Sequence, residues 1–236
     1  MPAVLMVLTG AKTWTMKDGT PHPTGFWSRE FVEAHKAFTN AGLAVRIATP
    51  AGVIPVVDEL SFSLDYNKDQ ADVDAQKAYL SDLASTFESP LSLADVDPAD
   101  FDVVFLVGGH GPMQDMAVDP TIGGILAAIL DDPKKIVSAV CHGPAGFLSA
   151  HRSDGSWLFK GWKLTGFSNE EETGATFAGN APWLLEDRLR LAGAEYVALP
   201  AWAPNVVVDG NLITGQQQVS VEDTAAAVLD KLRELA

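Results

Sequence analysis

Ile136-Val137-Ser138-Ala139-Val140-Cys141-His142-Gly143-Pro144 is the stretch that decides how this chain is read. A β-branched run stops at the only cysteine and passes into Ala145-Gly146-Phe147-Leu148, which predicts a strand, a sharp turn and a helix. Ala139, Cys141 and Gly143 give the small-x-nucleophile-x-small spacing of a nucleophile elbow, in which small neighbours let the backbone turn tightly and lift the nucleophile from the sheet. At the start of the following helix, free N–H groups and the helix dipole favour a thiolate, so Cys141 is expected to be reactive. A lone cysteine is more commonly a small buried hydrophobe. The strand-turn-helix setting, with His142 beside it, favours the nucleophile.

Upstream, Val103-Val104-Phe105-Leu106-Val107 reads as a strand, launched by the turn Asp97-Pro98-Ala99-Asp100 near Phe101-Asp102, and it ends at Gly108-Gly109-His110-Gly111-Pro112. Backbone amides in that turn could hold a developing oxyanion, although glycine is also common in tight turns for steric reasons alone. Asp119 and Pro120 open a helix through Leu130 that leads to the elbow strand. Met1 to Gly10 reads as a first buried strand, followed by a Pro/Gly-rich loop to Gly25 at the sheet edge where open α/β folds bind ligands.

A helix is predicted over about Phe26 to Asn40, with Trp27, Phe31, Ala34 and Phe38 on one face. At roughly 100° per residue, Glu30 falls about 70° from the centre of that stripe. A carboxyl at the margin of an apolar face has its pKa raised and suits a proton shuttle; the alternative is a side chain that reaches out to water. Ala44 to Ala48 makes the second strand, Val53 to Val57 packs beside the sheet, and a polar helix spans about Asp69 to Thr86.

Downstream, Lys163 to Phe167 is expected to be a strand leading to Glu170-Glu171-Glu172, one of which could orient His142, unless the run is a solvated acidic loop. Pro182 to Leu191 reads as a helix stopped by Gly193, and Ala194 to Leu199 as a strand. Val206 to Thr214 is a hairpin pattern whose Asp209-Gly210 suits a type I′ turn. Ser220 caps a last helix running to the carboxyl end. Trp157, Trp162, Trp183 and Trp202 are expected as core or dimer-surface anchors.

At 236 residues, 47% hydrophobic and 20% charged, the chain fits a single α/β domain over 1–236. Its net charge of −15 argues against nucleic acid and anionic membranes as partners. The amino-terminal apolar run has no basic residues ahead of it, which disqualifies it as a signal peptide, and no stretch approaches the roughly 18 apolar residues of a membrane span. One cysteine makes no internal disulfide and suits a reducing cytoplasm. No Cys/His cluster has metal spacing, so neither metal nor cofactor is expected.

Thr24-Gly25-Phe26-Trp27-Ser28-Arg29-Glu30, Gly108-Gly109-His110-Gly111, Ala139 to Pro144, Thr165-Gly166-Phe167-Ser168-Asn169-Glu170-Glu171-Glu172-Thr173 and Asp209 to Gln216 together resemble the ThiJ/PfpI superfamily, in its branch of heat-shock chaperones and glutathione-independent glyoxalases. The resemblance implies a flavodoxin-like three-layer sandwich with a mostly parallel sheet, and a homodimer. It places the nucleophile on Cys141, its histidine on His142, the helix carboxylate on Glu30, the histidine-orienting acid on Glu172 and the oxyanion amides on Gly109 and His142. Gln217-Gln218-Val219 departs from the pattern, in which an Asn-Pro and a small residue tend to follow Gln216. The implied activity is that of a cofactor-free lyase, glyoxalase III, converting the small reactive aldehydes methylglyoxal or glyoxal to lactate or glycolate. A peptidase or deglycase, a holdase chaperone, or a cysteine redox sensor would use the same sequence. A glutamine amidotransferase needs a downstream His-x-Glu, whereas His151 is followed by Arg152-Ser153.

Overall fold

The computed structural model describes residues 2–175 and 177–235. Its seven-stranded sheet runs, edge to edge, Val206–Asp209, Leu212–Gly215, Ile136–Val140, Val103–Leu106, Ala3–Val7, Ala44–Thr49 and Leu91–Ser92. All neighbours pair in parallel except the hairpin Val206–Asp209 and Leu212–Gly215. Strands covered on both faces need continuous apolar runs. Ile136–Val140 and Val103–Leu106 are buried at every position.

From Ala3–Val7 the chain moves outward to Ala44–Thr49, then returns to Val103–Leu106 on the other side of the first strand and proceeds away through Ile136–Val140. Right-handed crossovers in opposite directions place their helices on opposite faces, which makes three layers. The reversal between Ala3–Val7 and Val103–Leu106 opens a crevice at the carboxyl ends of these strands. Gly10, the Gly108–Gly109 turn and Cys141 all follow strands at that edge.

Several local expectations shift. The first helix is Ser28–Asn40 with Trp27 at its N-cap, because Phe26 is engaged in a parallel bridge with Val57. The polar helix is Gln70–Asp82, and Ala84–Phe87 is a separate turn. The edge strand Leu91–Ser92, too short to leave a pattern, pairs with Ala48–Thr49. Lys163–Leu164 and Glu195–Tyr196 shrink to two residues each and pair with one another outside the main sheet. The helix expected from Pro182 is Leu185–Ala192, closed by Gly193 at φ 107°. The hairpin loop is Gly210–Asn211, with positive φ at Gly210 alone, so the type I′ turn does not form. Asn211 instead uses its side-chain amide to hold the Leu130 and Lys135 carbonyls at 3.1 and 2.9 Å. No helix among the described residues is long and apolar enough to cross a membrane.

Candidate active site

Cys141 directly follows Ile136–Val140 and adopts φ 59°, a left-handed conformation that a non-glycine residue keeps only when its surroundings impose it. They do so here: the Cys141 N–H donates to the Gly215 carbonyl at 3.1 Å, and its carbonyl accepts from the Phe167 N–H at 2.8 Å. Gly143 is required because a Cβ there would lie 2.3 Å from the Leu106 carbonyl oxygen. The helix expected after the turn is a 3₁₀ helix, Gly143–Ser149. Cys141 is only 5% exposed and lines a cavity of about 30 Å³ with Trp27, Glu30, Tyr66, Gly109, His142 and Trp202 among its walls.

Glu30 is fully buried, not marginal as its place beside the apolar stripe suggests. Its Oε2 accepts from the Gly108 N–H at 2.9 Å. Gly108 must lack a side chain, since a Cβ would fall 2.6 Å from that oxygen and 2.7 Å from the Cys141 Cβ. The other oxygen, Oε1, is buried with no hydrogen-bond partner among the described residues. Burial pushes the Glu30 carboxyl from its ordinary 4.5 up to about 8, against the pull of Cys141 and the Gly108 amide.

The thiol does not follow the helix-dipole expectation. Burial, then the charge of Glu30 and its hydrogen bond, push Cys141 well above the usual thiol range, and the backbone N–H of Gly109 pulls it back only in part. Two acids therefore compete for one buried negative charge, and while Glu30 keeps its proton the repulsion on the sulfur is absent.

The raised Glu30 carries a stability consequence with a definite sign. An unfolded carboxyl ionises near 4.5 and the folded one near 8. Between those values the unfolded chain holds fewer protons, so stability falls as pH rises through the window and levels off above it. At about 1.4 kcal/mol per unit this amounts to a few kcal/mol. Glu30→Gln should therefore raise Tm over the parent by several degrees more at pH 8 than at pH 5, at about 2–4 °C per kcal/mol. An equal difference at both pH values in paired thermal melts would contradict the buried, protonated carboxyl.

His142 completes the arrangement. Its Nδ1 lies 3.4 Å from the Cys141 Sγ and its Nε2 lies 2.7 Å from Glu172 Oε2. Burial lowers the His142 pKa, with Glu172 opposing. Burial works against the Glu172 anion, yet the flanking His142 and His110 hold the carboxyl well below the usual carboxylate range. An ionised Glu172 accepts, so His142 carries its hydrogen on Nε2 and turns the Nδ1 lone pair toward the thiol.

Of the three consecutive glutamates, Glu172 is thus the one on His142. Glu171 is buried just as deeply but serves the fold. Its Oε2 closes a capping box with Ser168, and its Oε1 accepts from the Trp202 N–H at 2.9 Å and Gln216 Nε2 at 3.1 Å. With Glu171 fixed in this way, the helix Asn169–Gly174 has one register, and Glu172 reaches the elbow.

Sequence reasoning passed over His110. Its Nε2 lies 2.8 Å from Glu172 Oε1, so one carboxylate holds two imidazoles whose rings are 4.4 Å apart. The only signal was its place directly after Gly108-Gly109, at the same sheet edge as the elbow. His110, His142 and Glu172 bring metal-capable atoms within 4.8 Å of one another. Both Nε2 atoms and both carboxylate oxygens are already engaged in hydrogen bonds with one another, and a cation held between them would have to break those bonds.

Residues 22–231 match the DJ-1/PfpI family. The chain belongs to that family. It is 29% identical to the glutathione-independent glyoxalase HSP31 of Saccharomyces cerevisiae, over 98% of each protein. Among solved structures it is similar to Rapid Encystment Protein 24 KDa of Francisella tularensis (28% identity, TM-score 0.87, 98% and 99% of the two chains) and to glyoxalase III of Candida albicans (26%, 0.80, 98% and 97%).

Within this DJ-1/PfpI chain, the departure at Gln217-Gln218 has a defined structural effect. The Gln218 side-chain oxygen Oε1 accepts from Trp27 Nε1, and its Nε2 donates to the Tyr66 main-chain carbonyl at 3.3 Å. Gln218 thereby joins the helix start at Trp27 to the Tyr66 loop across the cavity. Trp202, itself at φ 66° and held there by Glu171, lies 6.0 Å from Tyr66 and 5.8 Å from Phe167 between ring centroids. Three separate segments thus form an aromatic wall around the sulfur, and sequence spacing alone does not bring them together.

Proposed function

We propose that this protein is a glutathione-independent glyoxalase, needing no cofactor, that converts methylglyoxal or glyoxal to lactate or glycolate on Cys141. The observation that carries the reading is the fully buried Glu30 carboxyl, pushed up to about 8, at the sulfur on the wall of a small cavity. The glyoxalase names of full-length relatives support the reaction class.

In this reading His142 Nδ1 takes the thiol proton and the sulfur adds to the aldehyde carbon. The new oxygen is stabilised by the Gly109 N–H, with the His142 amide as second donor, and takes up a proton to give a hemithioacetal. Once sulfur is bonded to carbon it no longer competes for negative charge, which frees Glu30 to ionise. Glu30 then removes the hydrogen from the former aldehyde carbon to give an enediolate, the hydroxyl proton passes to the neighbouring oxygen, and Glu30 returns its proton to the neighbouring carbon. The product is an acyl-thioester with a hydroxyl at that carbon. Water hydrolyses the thioester, releasing the 2-hydroxy acid and the thiol.

The narrow, aromatic-walled cavity, with Trp27, Tyr66, Phe167 and Trp202 around the sulfur, favours a free dicarbonyl of a few heavy atoms over a peptide or a modified protein side chain, which distinguishes this reading from a peptidase or deglycase. His151, the histidine an amidotransferase would need, is exposed and does not line the cavity. The test is lactate production from methylglyoxal with glutathione omitted and a chelator present, read by chiral assay for D- and L-lactate. Turnover under these conditions, with one enantiomer in excess, is the expected result; no lactate above the uncatalysed rate would end the proposal.

A further inference from the structure

We propose that His110 is a second catalytic base, accepting a proton at Nδ1 from the water that hydrolyses the Cys141 acyl-thioester. The inference rests on the glyoxalase reading and assigns a step that reading leaves open.

His110 is 4% exposed and lines the same cavity as Cys141 and Glu30. Its ring is stacked on Trp14, with centroids 5.0 Å apart and planes within 12°, and Phe177 lies 4.8 Å away. His22, 6.0 Å from it by ring centroids, stands edge-on. Because Nε2 donates to Glu172, a neutral His110 presents a lone pair at Nδ1, and that atom is buried without a partner among the described residues. Leaving a buried polar atom unpaired costs about 1–3 kcal/mol, so such an atom on a residue of the cavity wall gains from a polar guest that reaches it. Glu30 Oε1, on another wall of the same cavity, is unpaired as well. The cavity of about 30 Å³ exceeds the roughly 10–15 Å³ that a water requires.

The two imidazoles on Glu172 therefore differ in one respect. His142 has its Nδ1 against the sulfur, where it serves the thiol; His110 has the same backing from Glu172 and a free acceptor. Hydrolysis then balances as follows. Water gives one proton to His110 Nδ1 while its oxygen bonds to the acyl carbon. The C–S bond breaks with its electron pair going to sulfur. The carboxyl proton of the nascent acid passes to sulfur, restoring the thiol, and the product leaves as its carboxylate. His110 releases its proton to solvent, giving one proton per turnover, as formation of an acid at neutral pH demands. The positive charge that His110 carries in between is stabilised by Glu172.

The test uses His110→Gln, which can still donate to Glu172, and His110→Phe, which retains an aromatic ring over Trp14. Each is mixed with methylglyoxal, quenched in acid and weighed intact. The expected result is a loss of lactate turnover of about 10²-fold or more, with one substrate equivalent accumulating on Cys141. That adduct should release a hydroxamate on addition of hydroxylamine, which attacks thioesters without a base and does not form a hydroxamate from a hemithioacetal. Iodoacetamide should alkylate substrate-free Cys141 at close to the parental rate, showing that the His142 half is intact. Parental turnover in both variants, loss of turnover without an acyl adduct, or a parallel loss of alkylation would overturn the assignment. Absence of lactate from the parent would instead overturn the glyoxalase reading, and this inference with it.

Discussion

Cys141→Ala should reduce lactate formation to the uncatalysed level, and Glu30→Gln should reduce it by about 10²–10⁴-fold, the range general acid–base groups contribute, while leaving Cys141 open to iodoacetamide. The difference between the two variants is informative. Glutamine keeps the size of the side chain and can still accept from the Gly108 N–H, so the cavity and the sulfur stay in place. What it lacks is the ability to move a proton between the two carbons of the bound dicarbonyl. A hemithioacetal should therefore form and stop, detectable by native mass measurement as one substrate equivalent on the protein that yields no hydroxamate with hydroxylamine. If Glu30→Gln turned over at the parental rate, Glu30 would be reduced to a packing role and the proton shuttle would have to be another group. Cys141→Ala with substantial residual lactate would remove the covalent route altogether.

The parts of this site that were legible in the sequence are those set by local geometry. Ala139-Val140-Cys141-His142-Gly143 announces its turn because only small residues tolerate the approach to the Leu106 carbonyl, and Glu30 stands out as a carboxyl beside an apolar stripe. The depth of its burial was not legible, since it depends on what packs over the margin of that stripe. Nor was His110, because its role arises from a contact with Glu172 across sixty-two positions of sequence. Trp202 shows the same limit differently. Its left-handed backbone would be read from a glycine or asparagine, but here a tryptophan is held there by an N–H bond to buried Glu171, which no local rule for tryptophan encodes. The strand expected at Lys163–Phe167 fell short for a related reason. Beyond Leu164 the backbone turns its donors to the site, Thr165 N–H to Thr214 Oγ1 and Phe167 N–H to the Cys141 carbonyl, rather than to a neighbouring strand.

Glu172→Gln is expected to reduce lactate formation by about 10²–10⁴-fold as well, and, unlike Glu30→Gln, to slow alkylation of Cys141 in parallel. A carboxylate accepts from both imidazoles at once, 2.7 Å from His142 and 2.8 Å from His110. A glutamine in its place offers one acceptor and one donor. Whichever histidine faces the amide N–H must abandon its Nε2 hydrogen and carry it on Nδ1. If that histidine is His142, the lone pair is withdrawn from the sulfur and the thiol proton has no acceptor. If it is His110, its unpaired Nδ1 acceptor is lost and, on the hydrolysis role proposed for it, the acyl-cysteine persists. Loss of the anion also removes the charge that opposes the lowering of the His142 pKa by burial, so an imidazolium is less well supported in either case. Parallel measurement of turnover and alkylation separates the two outcomes: both slowed means that His142 has changed tautomer, and turnover slowed with alkylation intact means that His110 has. Parental rates in both assays would show that neither histidine depends on Glu172 for its orientation.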